Sequence, residues 1–247
     1  MKQTIQDYNN IFWNLIKEYD LNENNILRKV IHSFDVAKNC FELACKEKLN
    51  KDERNLCYLI GLLHDIGRFE QWSKFKTYDD RKSVDHGELS YEILNNLDCK
   101  KLFYLNKNEE IIFKETIRFH TKPYLGKDKD VRRFTYIIKN SDAYSNVIST
   151  ANGMQQMTVH GDGVTEEILA GFYNRELLNV YSPQTKLDRS LMLSACCYYV
   201  EDDNFRQNII NFNYIDIIYD TFSIYLNKAD KDIFKKAIND LKLNYFL

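Results

Sequence analysis

The chain has 247 residues, 44% of them hydrophobic and 28% charged, with a net charge of -2 at pH 7. That is enough apolar material for one large domain with a sizeable core, and it excludes wholesale disorder. The near-neutral charge balance gives no bulk attraction for nucleic acid or for an anionic membrane surface.

Only two prolines and eight glycines occur, and so few breakers favour an all-α chain over a turn-rich β fold. The predicted helices follow in order. Residues 5–19 carry Ile5, Tyr8, Ile11, Phe12, Leu15 and Ile16 at helical spacing. After a polar break at 22–25, a long amphipathic helix runs over 26–48 and contains His32. Asn50 caps the next helix, with Glu53 completing a capping box, and this helix ends at His64-Asp65. Residues 70–81 read as a loop or short helix. Ser83 reads as the N-cap of a helix over 84–97, with His86 in its first turn. Asn108 opens a helix that ends at His120 and is stopped by Pro123 and Gly126. A further helix over 130–148 contains Asp142. Residues 152–162 are the least helical stretch. Helices resume over 165–181, 190–199, 203–211, 214–226 and 228–243. No run approaches the ~18 apolar residues of a membrane span, and no signal peptide is expected, so a cytoplasmic location is the expectation. The six cysteines form no C-x-x-C pair and read as free thiols.

The chemistry gathers at Leu62-Leu63-His64-Asp65-Ile66-Gly67-Arg68. Neighbours on a helix point about 100° apart, but at a helix end the chain turns and both side chains can meet one metal, with Gly67 allowing the turn. His32, His86, His120 and Asp142 are the ligands able to join them. Apart from the adjacent pair, each falls on a different predicted helix, as a metal site inside a helical bundle requires. A single histidine on an amphipathic helix is more often a core or surface residue. The adjacent pair and the ordered set carry the argument.

That order, His32, His64-Asp65, His86, His120, Asp142, resembles the HD-domain superfamily of metal-dependent phosphohydrolases. The segments HSFDVA, LLHDIGR, DHGELSYEIL and IKNSDAYSNV each resemble a family motif, in the family's order, over about residues 26–150. The resemblance implies an all-α helical bundle: a single HD-type domain over 1–247, with a metal-binding core at about 26–150 and a helical extension at about 151–247. His32, His64, Asp65 and Asp142 match the minimal site, and His86 with His120 match the two-metal subset. Paired histidines and the Gly-Tyr-Pro signature of the HD-GYP branch are absent, so cyclic-di-GMP hydrolysis is not expected.

The resemblance further implies a metal-activated hydroxide attacking a nucleotide or small phosphate ester, with Asp65 and Arg68 as the catalytic residues. Two divalent transition-metal ions are implied, Fe or Mn first, with Zn, Ni or Mg compatible. Its alternatives are a mixed-valent di-iron oxygenase of the superfamily or a non-catalytic nucleotide-binding sensor. Asp35 and Glu88 are close enough in sequence to orient ligand imidazoles. Arg81, Lys82, Lys122, Arg132, Arg133 and Lys139 are further cations near predicted ligands, and Tyr78, Tyr124 and Tyr144 are candidate pocket residues. His160 reads as exposed. Tyr245 and Phe246 read as exposed aromatics able to serve an interface, though the sequence fixes no oligomeric state.

Overall fold

The computed structural model describes residues 3–155, 157–176, 178 and 181–246. The described residues are helical, with no strand beyond one isolated bridge between Gly161 and Thr185. Contacts divide the chain into two units, Met1–Asp142 and Ala143–Leu247.

The first unit begins with α1 (Ile5–Ile16), started by a capping box between Thr4 and Asp7. α2 (Asn24–Lys46) buries Ile26, Val30, Val36, Ala37, Cys40 and Leu43. α3 (Lys51–Leu63) opens with the expected Asn50–Glu53 box and packs along α2. That packing is close: a Cβ on Gly61 would stand 2.7 Å from Ala37 Cα and 2.9 Å from Val36 O.

The first departure from the sequence reading follows directly. The chain restarts a helix at once after Asp65, as α4 (Ile66–Phe75), where a turn and then a loop or short helix were expected. The fully buried Gln71 explains the difference, because a polar residue on the inward face breaks the apolar pattern that marks a helix. Gly67 is therefore helical, and its smallness serves contact rather than turning. A Cβ there would lie 2.7 Å from Ser90 N and 2.8 Å from His86 O, on α5 (His86–Asn95). The cap of α5 is Asp85, not Ser83. Its carboxylate accepts from Gly87 N and Glu88 N, so His86 is the first residue of the helix. A single 3₁₀ turn, Asp80–Lys82, lies in the connection.

The short α6 (Cys99–Leu102) leads to α7 (Lys107–Phe119), which is capped by Asn106 with Glu109 rather than opened by Asn108. α8 (Lys129–Ala151) carries Asp142.

In the second unit α9 (Glu166–Tyr173) is shorter than expected; residues 177, 179 and 180 of that stretch lie outside the described ones. α10 (Lys186–Ser194) starts earlier than expected, on a Thr185–Asp188 box, and continues as a 3₁₀ turn over Ala195–Tyr199. α11 (Asp203–Asn211), α12 (Tyr214–Ser223) and α13 (Lys228–Phe246) complete the unit. Phe172, Leu187, Leu191, Phe205, Phe222 and Phe234 fill its core. Tyr245 is buried there with its hydroxyl on Cys197 O, which corrects the expectation of an exposed aromatic. The side chain of Phe246 lies outside the described residues. The described cysteines are all free thiols. No described helix is long and apolar enough to cross a membrane.

Candidate metal centre

Five side chains from five places in the first unit gather around Asp65. His32 comes from the middle of α2, His64 is the C-cap of α3, His86 opens α5, His120 is the C-cap of α7 and Asp142 sits in α8. His32 Nε2 is 3.0 Å from Asp142 Oδ1 and 3.7 Å from Asp65 Oδ2. His64 Nε2 is 3.6 Å from Asp65 Oδ2 and 3.9 Å from Asp142 Oδ1. The other oxygen, Asp65 Oδ1, faces His86 Nε2 at 3.4 Å and His120 Nε2 at 3.8 Å. Asp65 therefore turns one oxygen to His32 and His64, which also face Asp142, and the other to His86 and His120.

Backbone and side-chain acceptors set the tautomers. His64 Nδ1 lies 2.7 Å from Gly61 O, and His120 Nδ1 lies 2.6 Å from Ile117 O. A carbonyl only accepts, so each Nδ1 carries the proton and each Nε2 keeps a lone pair. His86 Nδ1 lies 2.6 Å from Asp80 Oδ2, with the same consequence.

The centre also meets a test of fit. His64 Nε2, His120 Nε2 and Asp65 Oδ1 are buried with no hydrogen-bond partner. Orphaned buried polar atoms are costly, and here all three face one another. Donor atoms about 2.1 Å from a shared ion stand roughly 3.0–3.5 Å apart, close to the spacings found. His32, His64 and Asp142 form one group able to hold an ion, and His64, Asp65 and His120 form another. Imidazole with carboxylate suits Fe, Mn or Zn.

Burial pushes His64 down to about 3, and burial with the Arg68 cation pushes His86 down to about 4, so both imidazoles are neutral near pH 7. Burial works to raise Asp65, but the Lys29 ammonium and then His64 outweigh it and hold the carboxyl well below its ordinary range. Burial likewise opposes ionisation of Asp142, and the hydrogen bond and charge of His32 bring it down.

Arg68 stands beside these ligands. Its Nη1 donates to Gln71 Oε1, Tyr78 O and Asp80 Oδ1, each at 2.7 Å, and its Nη2 lies 3.2 Å from His86 Nε2. Its Nε is buried without a hydrogen-bond partner, 3.7 Å from Asp65 Oδ1.

Other candidates stand elsewhere. Asp35 is exposed. Glu88 pairs with Arg118 and Lys122, and Lys122 also pairs with Asp85. Arg81 pairs with Asp79, Arg133 pairs with Glu53, and Lys139 donates to Lys122 O. Arg132 and His160 are exposed, and Lys82 has only a distant Asp79. Tyr124 is exposed beside Phe119, and Tyr144 is buried in a stack on Phe205. Tyr78 is the tyrosine at the centre's edge. Arg28, Lys29 and Arg68 all lie within 5.7 Å of its ring centroid.

Three residues at the centre escaped the sequence reading: Lys29, Gln71 and Asp80. Lys29 Nζ is 2.7 Å from Asp65 Oδ2. Its place one turn before His32, on the same helix face, was the available signal. Gln71 and Asp80 sit in a stretch read as a loop or short helix, where no periodicity points to a partner.

Residues 30–151 match the family model described as HD domain. No curated protein and no solved structure matches the chain.

Proposed function

The chain carries an HD domain over residues 30–151, which places it in the superfamily of metal-dependent phosphohydrolases, and from that premise we propose hydrolysis of a phosphate ester at a two-metal centre. The observation that supports the second ion is the split orientation of Asp65, one oxygen towards His32 and His64 and the other towards His86 and His120. A carboxylate so placed could be shared by two ions. Fe or Mn suits the donor set best. Such a pair would lower the pKa of a coordinated water and polarise a phosphoryl oxygen.

The protein's own residues supply the rest. Arg68 is held through Nη1, which leaves Nη2 and the partnerless Nε facing the ligands. With the His86 lone pair directed to an ion, those two donors would be free to grip a phosphoryl oxygen and to compensate charge on the leaving group. Lys29 and Arg28 extend the cationic edge past Tyr78. That edge suits a small phosphorylated substrate such as a nucleotide.

The test joins metal analysis to turnover. Protein purified without chelator is expected to hold two equivalents of Fe or Mn and to release phosphate from a panel of nucleotides and phosphomonoesters. Asp65→Ala is expected to lose both ions and to lower turnover by at least ~10³-fold. An Asp65→Ala protein that keeps its metal and its rate would overturn the assignment. Oxygen uptake that needs part-reduced iron, without phosphate release, would replace the hydrolase with an oxygenase.

A further inference from the structure

His86 differs from the other capped imidazoles in how its ring is held. His64 and His120 end their helices, so a carbonyl three residues upstream in the same helix accepts a hydrogen bond from Nδ1–H. His86 begins its helix and has no upstream turn of its own. Side chains at a helix start lean back towards the preceding segment, and there Asp80 Oδ2 meets Nδ1 at 2.6 Å.

Asp80 is itself fixed by other residues. Its Oδ1 accepts from Arg68 Nη1 at 2.7 Å and from Gln71 Nε2 at 2.8 Å. Gln71 is fully buried, donates also to Ser83 Oγ and Val84 O, and accepts from Arg68 Nη1. One carboxylate thus holds the imidazole facing Asp65 Oδ1 and the guanidinium beside it. An ionised acceptor behind a ligand imidazole also makes its far nitrogen a stronger donor than a backbone carbonyl does.

We propose that Asp80 is the positioning residue of the second ion: it fixes the tautomer and aim of His86 and the place of Arg68 together. The inference rests on the two-metal reading. It assigns a site-specific role, because the group formed by His32, His64 and Asp142 is held without Asp80.

The experiment is Mn²⁺ titration of wild type, Asp80→Ala, Asp80→Asn and Asp80→Glu, with metal content and spin coupling read by electron paramagnetic resonance. In parallel, the His86 tautomer is read by ¹⁵N nuclear magnetic resonance in chelated protein. Wild type is expected to take two equivalents. Asp80→Ala is expected to keep the first equivalent unchanged, to bind the second about 10–100-fold more weakly, and to lose the uniform Nδ1–H signal of His86. Asp80→Glu is expected to recover part of the second equivalent. If Asp80→Ala does not fold, as judged by its helical circular dichroism, Asp80→Asn is read in its place. A folded variant that binds both equivalents as tightly as wild type, or that loses both alike, overturns the proposal while leaving the two-metal reading standing. A wild type that takes one equivalent overturns the two-metal reading and the role of Asp80 with it.

Discussion

At the scale of single residues, Lys29 and the ions would compete for the same oxygen. Its ammonium pairs with Asp65 Oδ2, the oxygen that faces His32 and His64. An ion placed there shares that oxygen with a fixed positive charge. Lys29→Met removes the cation that compensates Asp65 when no ion does so, and breaking such a buried pair costs about 3–5 kcal/mol. The metal-free variant is therefore expected to melt lower than wild type, and Mn²⁺ is expected to raise its melting temperature by more than it raises wild type's. An equal or smaller metal-induced rise would sink this account. Protons act on the same residues. Unfolded histidines titrate near ~6.5, whereas His64 and His86 are held to about 3 and about 4 in the fold, chiefly by burial. Below pH ~6.5 the unfolded chain then binds protons that the folded chain refuses. Stability of chelated protein is expected to fall as pH drops from ~6.5 towards ~4, by up to ~1.4 kcal/mol per unit for each group. Urea melts across that range measure the slope, and His86→Ala is expected to flatten it. The candidate ligands were legible in sequence because each stands at a helix end or in a segment that resembles a family motif. Asp80 was not, because Glu88, two residues after His86, reads as the carboxylate that orients the ring, while the ring leans the other way.

At the scale of helices, the centre depends on how closely backbones approach. Gly61 lets α3 lie against α2, and Gly67 lets α4 lie against α5. The second contact sets the distance from Asp65 to His86. It is sealed by Gly67 N donating to Ser90 Oγ at 2.9 Å. Gly67→Ala would place a methyl against backbone atoms that cannot swing aside. Overpacking of this kind costs about 1–3 kcal/mol, and here the strain would move His86 away from Asp65. The expected result is a folded protein with lower stability whose second Mn²⁺ equivalent is weakened more than its first. An unchanged second equivalent would show that α4 and α5 can separate without moving the ligand. The sequence suggested that Gly67 mattered but for the wrong reason. A glycine after a helix-ending motif reads as a turn, and only the crossing of two helices distant in sequence reveals the contact.

At the scale of the whole molecule, all six candidate ligands lie in the unit Met1–Asp142, and the unit boundary falls inside α8 directly after the last of them. Metal binding stabilises what it touches. Hydrogen exchange is therefore expected to slow on Mn²⁺ addition in α2, α3, α5, α7 and the first part of α8, and to change little in α9–α13. Equal protection of α13 would mean that the two units open together. The helices of the second unit were legible from periodicity, with boundaries shifted by a few residues where caps such as Thr185 decided them. Its chemistry was not legible, because its buried polar groups serve the chain itself: Asp188 accepts from Thr165 N, Gln184 N and Thr185 N and so ties two helix starts together.

His64 and His120 have a second employment, because each ring closes one of the last carbonyls of its own helix. In a lineage that abandoned the metals, these two residues would still be selected for ending α3 and α7. His86, whose ring bonds Asp80 rather than a carbonyl of its own helix, would be freer to drift. The loss of catalysis in a descendant would therefore be recorded first at position 86, and an intact His64-Asp65 pair alone would be a poor witness to activity.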